Sequence, residues 1–212
     1  MKESKRHQNA SNQKETSDER NPFIFLGGNL ALDLVNTEYI VRGKRADRLL
    51  TPVDATQWWE MAQQMYSQTI QHQESRAWSE QQVSALRRLR QMLRDLFETI
   101  VVHHQAHENQ IEELNSLLRL GSYMLEIGPE GNFSAHYRMR DLQGSEVLFS
   151  IAWAAMDLLT KQELGRLHAC QNKRCMVLFY DTTKSATRHW CSIACSNRAR
   201  SLQNYRQTKN AP

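Results

Sequence analysis

All four cysteines of this 212-residue chain fall near its C-terminal end, as Cys170-x4-Cys175 and Cys191-x3-Cys195. Two close pairs of this kind supply four thiolates, the donor set and spacing that close a tetrahedral Zn2+ shell. A single finger built from a knuckle and a helix favours zinc over iron or an iron–sulfur cluster. The expected cofactor is therefore structural Zn2+, held by Cys170, Cys175, Cys191 and Cys195. No cysteine is left over to act as a nucleophile. Met1–Asn21 is polar throughout and has no apolar secretory core, which points to a cytoplasmic protein whose paired cysteines are metal ligands and not disulfides.

The net charge is +4, but it is spread unevenly. From Lys161 to Pro212 ten Lys or Arg face two acids, Glu163 and Asp181, so this stretch carries +8 and the preceding part of the chain −4. Basic charge confined to the cysteine-bearing segment is the footprint of a surface for a polyanion. Arg188, Arg200, Arg206 and Lys209 are candidates for phosphate contacts, while Asn197 and Arg198 either reach a base edge or hold the segment together. Duplex DNA is the expected partner, with an RNA- or protein-binding adaptor as the alternative. Single-strand stacking has thin support, since Phe179, Tyr180, Trp190 and Tyr205 are the only aromatics to serve it. The most apolar run, Val147–Leu159, contains Ser150 and Asp157 and is too short to span a bilayer, so no membrane role is expected.

Hydrophobic residues at 40% and charged residues at 24% are ordinary globular usage, and 8 Gly with 4 Pro leave long helices as the expected main element. Residues 1–21 have almost nothing to bury and read as a disordered tail. From Pro22 an apolar run ends at Gly27-Gly28, and Asn29 is a plausible N-cap for a short helix. Val41–Leu50 reads as charged and irregular. Thr51-Pro-Val-Asp54 starts a helix to about His72, and Ser79-x-x-Gln82 starts a long amphipathic one through Val83, Leu86, Leu89, Leu93, Leu96, Phe97 and Ile100 to near His104. Another helix spans Glu108–Leu120, stopped by Gly121. Alternation in Tyr123–Ile127 and Phe133–Met139 predicts a hairpin, and Gly144–Thr160 returns to helix. These give a helical domain over 22–160 with one β-hairpin. The finger, 161–208, is expected as a knuckle, strands over Met176–Asp181 and Thr187–Trp190, and a helix opened by Cys191, followed by a tail over 209–212. The fold class is thus mainly α (α+β) with a small treble-clef-like zinc finger.

Gly27-Gly28 lacks both a G-x-G-x-x-G fingerprint and a P-loop lysine, so it reads as a structural turn. Asp33, Asn36 and Thr37 either line a small-molecule pocket or cap and bridge the core. No acid pair, nucleophile with base, or open metal shell can be assembled, so no enzyme activity is expected. The helical domain is left to sense an effector or to form a homodimer. Replacing Cys175 or Cys191 should release the metal and unfold the finger while the helical domain stays folded.

The stretches Phe179-Tyr-Asp181-Thr-Thr, Arg188-His-Trp190-Cys191-Ser and Cys195-Ser-Asn197-Arg198-Ala-Arg200 resemble the CGNR zinc finger, with Ser196 where that signature has glycine. Upstream, Phe25-Leu-Gly-Gly28-Asn-Leu-Ala-Leu-Asp33-Leu-Val-Asn36-Thr37 is similar to the opening of the ABATE domain, which precedes that finger in bacterial stress-induced transcription regulators. The resemblance covers the chain from Pro22 to its end. It implies a transcription regulator that binds DNA through the finger.

Overall fold

Asn29 opens the first helix, α1 (Leu30–Val35), from extended backbone, its side chain accepting from the Ala31 amide at 2.9 Å. Six residues are too few to hold a helix in water. α1 persists because every one of them is buried, Asp33 included. The turn before it needs both glycines: Gly28 sits at φ +74, and a Cβ on Gly27 would lie 2.6 Å from the Cβ of Leu32 and 2.8 Å from an Asp33 oxygen. In this computed structural model residues 23–41, 43–67, 77–127, 133–140 and 146–209 are described. The N-terminal stretch expected to be a disordered tail lies outside them, as do residues 210–212 of the C-terminal tail.

After α1 the chain forms an antiparallel hairpin, β1 (Glu38–Val41) and β2 (Lys44–Asp47), with Glu38 opposite Asp47 and Val41 opposite Lys44. This second hairpin falls where the charged sequence reads as irregular. Gly43 turns it at φ +81, and Arg90 anchors it by gripping Asp47. Reciprocal capping boxes, Thr51 with Asp54 and Ser79 with Gln82, start α2 (Pro52–Met65) and α3 (Glu80–His103) as expected. α2 ends at Met65, short of His72. α4 (Glu108–Leu118) follows, then β3 (Gly121–Ile127) and β4 (Phe133–Met139), paired from Gly121–Met139 to Ile127–Phe133. Gly121 begins the strand, and its missing Cβ makes room for the Phe149 ring, which would otherwise lie 2.9 Å away. α5 (Glu146–Lys161) completes the helical body.

The main core cluster is centred on α1, which packs against both α3 and α5, and a second, smaller cluster gathers Val177 and Phe179 with Cys170, Cys191 and Cys195. Leu32 and Leu34 share the main cluster with Trp58 of α2, Leu86, Leu93, Leu96 and Phe97 of α3, and Ile151 and Leu158 of α5, all nearly or completely removed from water. Burying a side chain of this size contributes roughly 1.5–3 kcal/mol. Leu167 and Leu178, from the cysteine-bearing segment, belong to the same cluster.

That segment runs through a 3-10 turn (Leu164–Arg166) into β5 (Leu167–Ala169) and β6 (Leu178–Tyr180), then to α6 (Ile193–Lys209). β5 and β6 pair antiparallel, Leu167 opposite Tyr180. The expected second strand over 187–190 is not formed. The Cys170–Cys175 knuckle is itself the turn of the hairpin, and the Cys170 amide extends its ladder by donating to the Val177 carbonyl at 2.9 Å. Residues 182–190 instead loop back, tied by the Gln171 amide to the His189 carbonyl at 2.9 Å.

Candidate metal centre and basic surface

The knuckle and the first turn of α6 bring the four cysteine sulfurs within 4.8 Å of one another. Cys175 and Cys191 are 3.8 Å apart, Cys191 and Cys195 3.5 Å. A Zn2+ ion with four bonds to sulfur of about 2.3 Å requires sulfur–sulfur edges of about 3.8 Å. Disulfides need about 2.05 Å, so these sulfurs are too far apart to be bonded to each other. Four thiolates gathered this closely repel one another, and the charge of a bound cation offsets that repulsion. The donor set, the spacing and the burial of Cys170, Cys191 and Cys195 fit structural Zn2+. With four thiolates the shell is closed, so the metal's contribution is folding energy.

Polar contacts fix this cradle from every side. Ser192 caps α6, its Oγ accepting from the Cys195 amide at 3.2 Å, and the Cys191 amide points at the Cys170 sulfur at 3.5 Å. Buried Asn172 accepts from the Arg174 amide at 3.0 Å and donates to the Cys195 carbonyl at 3.0 Å, stitching knuckle to helix. Asp181, buried at the end of β6, accepts from the Thr183 amide and hydroxyl and from the Arg188 amide. Burial alone would raise its pKa, but these hydrogen bonds pull it down to about 2. His168 packs against the Phe179 ring and His189 meets Gln171, and neither belongs to the sulfur cluster.

Asn36 joins the finger to the helical body. Its Nδ2 donates to the Leu178 carbonyl at 2.8 Å and its Oδ1 accepts from the Leu178 amide at 3.0 Å, so one side chain pairs with β6 as a neighbouring strand would. Arg94 of α3 adds a second link, donating to the carbonyls of Val35 (2.7 Å), Glu38 (3.0 Å) and Met176 (3.1 Å). Thr37 donates to the Leu34 carbonyl and accepts from Arg90, which also grips Asp47 through both of its terminal nitrogens at 2.6 Å. Asp33 accepts from the Gly27 amide at 2.7 Å and from the Tyr66 hydroxyl. Desolvation lifts Asp33 to about 6 against those hydrogen bonds. Asp33, Asn36 and Thr37 are thus buried and hydrogen-bonded within the core.

The basic residues divide into two groups. Arg188 is half-buried: its side chain donates to the Trp190 carbonyl at 2.9 Å and to that of Cys191, and its guanidinium lies 4.8 Å over the Phe179 ring. It braces the metal loop. Arg166 is likewise tied to Glu163 at 2.8 Å and to the Thr183 carbonyl at 2.8 Å. Asn197, Arg198 and Arg200 on α6 are exposed, as are Lys173, Arg174 and Lys184. Arg206 and Lys209 lie further along the α6 backbone. Arg198 and Arg174 line one side of a cleft of about 790 Å3 beside the metal centre, faced by Leu26, Ile40 and Val41.

A closed four-thiolate centre under a basic helix, pinned to a helical body, defines a zinc-finger protein. Residues 28–162 match the ABATE family model, described as "Putative stress-induced transcription regulator", and residues 166–208 match the CGNR zinc finger. The chain belongs to the ABATE family. No curated protein matches it. Arg90, Arg94 and Asn172, which hold the assembly together, do not stand out in the sequence as functional residues. The helical phase of α3 does place both arginines on its apolar stripe.

Proposed function

We propose that the chain is a zinc-stabilised regulator that binds duplex DNA through the finger, with α6 and the knuckle facing the phosphates. One observation carries this reading: the finger's charge is available on one side and consumed on the other. Its acids are both engaged, Glu163 with Arg166 and Asp181 with Thr183 and Arg188. Lys173, Arg174, Lys184, Arg198 and Arg200 are exposed and make no ion pair with any described residue. No acidic residue follows Asp181 in the sequence. In this reading Arg200 and the neighbouring bases supply counterion-releasing phosphate contacts, and the exposed Asn197 and Arg198 are the candidates for base edges. The matched families are regulatory and zinc-finger types, which accords with a binding role over a catalytic one.

The test is anisotropy of labelled duplexes with zinc-loaded protein over a salt series. A log-affinity that falls linearly with log salt is expected. Zinc-loaded protein that binds no duplex at any salt rejects the proposal, and preference for RNA in competition shifts it to an RNA-binding adaptor. No helix among the described residues is long and apolar enough to cross a membrane.

A further inference from the structure

A cavity of about 260 Å3 lies where the helical body meets the finger, away from the metal centre. Four aromatic side chains from four elements line it: Tyr66 at the end of α2, Tyr123 on β3, Trp153 on α5 and Tyr180 on β6. Tyr123 and Trp153 form one wall, their rings 4.0 Å apart between centroids and tilted by 39°. Asp157 is the one charged side chain among the described lining residues, which include no Lys, Arg or His. Behind Tyr66 stands a second carboxylate, the buried Asp33, which accepts a hydrogen bond from the Tyr66 hydroxyl and so leaves that ring richer in electron density.

We propose that this cavity binds a small organic cation of the alkylammonium class. Aromatic faces with carboxylates beside and behind them present negative potential to a ligand, the arrangement that recognises quaternary and substituted ammonium groups. No basic side chain lines the cavity to receive an anion, and the volume sits below the ~300–1,000 Å3 of sites for drug-sized molecules, which restricts the ligand to a small one. Lys161 pairs with Asp157 at 2.6 Å but is 65% exposed, so a ligand cation displaces it at small cost.

The site bridges both halves of the molecule. Tyr180 and Thr182 belong to the finger, and between them Asp181 holds the loop that carries Arg188. A cation seated against Tyr180 and Trp153 ties β6 to α5 and so biases how the finger is held. This regulatory consequence rests on the DNA-binding reading; ligand binding itself does not.

The test is calorimetric titration of the zinc-loaded full chain, without DNA, using three ligands of one carbon skeleton: choline, the neutral 3,3-dimethylbutan-1-ol and the anionic 3,3-dimethylbutanoate. Choline is expected to bind about tenfold more tightly than the alcohol, with the anion weakest. Asp157→Asn, which keeps the shape, weakens choline several-fold and leaves the alcohol unchanged, and Trp153→Leu weakens both. Zinc content and circular dichroism establish that each variant is folded. Absence of choline binding, equal affinity for choline and the alcohol, or an Asp157→Asn variant with undiminished choline affinity overturns the proposal. DNA affinity measured with and without choline is a separate readout, so failure of DNA binding leaves the calorimetric result standing.

Discussion

On α3, Arg90 and Arg94 point into the protein, 6% and 3% exposed, and each spends its guanidinium on carboxylates, hydroxyls or backbone carbonyls. On α6, Arg198 and Arg200 stand in solvent. The same residue type therefore does opposite work in the two regions. Inside the helical body a buried charge persists where several acceptors surround it, because an unpaired buried charge costs several kcal/mol; even Arg94 leaves its Nε without a partner among the described residues. Along the finger the charges contribute little to folding, which makes them available to a partner. Arg188 marks the boundary, since it lies in the finger yet is used as the buried arginines of the body are.

The strongest way to break this contrast is through the metal. Cys175→Ser should lower bound zinc below one equivalent and cost on the order of 5 kcal/mol or more. Because Leu167 and Leu178 share the main core, the helical body should lose stability as well, contrary to the sequence-based expectation that it stays folded. Calorimetric unfolding decides: one broadened, lowered transition supports the shared core, and an unchanged body transition refutes it. Next comes Arg94→Met, which leaves the carbonyls of Val35, Glu38 and Met176 without their donor and should cost about 3–5 kcal/mol in urea unfolding. A loss under about 1 kcal/mol would show that the buried arginine is replaceable.

Asp33 gives a smaller effect with a definite sign. Its folded pKa, about 6, exceeds the ordinary 3.8, so the folded state holds the proton more tightly and stability falls as pH rises from about 4 to about 6. Two pKa units correspond to about 3 kcal/mol at most, and Asp33→Asn should flatten that portion of the pH–stability curve. At the far end, Arg200→Ala should change stability by no more than about 0.5 kcal/mol while lowering the salt slope of DNA binding by about 1. A large stability loss there would place Arg200 with the buried arginines.

Much of this arrangement is legible in the chain. The two capping boxes, the apolar stripe of α3, the β3–β4 hairpin and the cysteine pairs each follow from local chemistry that tertiary context does not override. The β1–β2 hairpin is hidden because Lys44–Asp47 has poor strand propensity, and what holds it, the grip of Arg90 on Asp47, comes from a helix more than forty residues away. In the finger β6 falls inside the expected Met176–Asp181, but its partner is misplaced, because β5 precedes the first cysteine and pairs across the knuckle, a register that cysteine spacing does not encode. The aromatic cavity is invisible to sequence for a related reason: its rings come from four separate elements.

The pairing of Asn36 with Leu178 means that the halves are joined by more than their connecting peptide. Asp at that position lacks the donor, Ser lacks the reach, and Gln sets the amide one methylene too far out. A nick in the exposed stretch between Lys161 and Leu167 should therefore yield two fragments that stay together through purification. By the same token, a finger transplanted from a relative should seat on this body only if its own strand presents backbone to that asparagine.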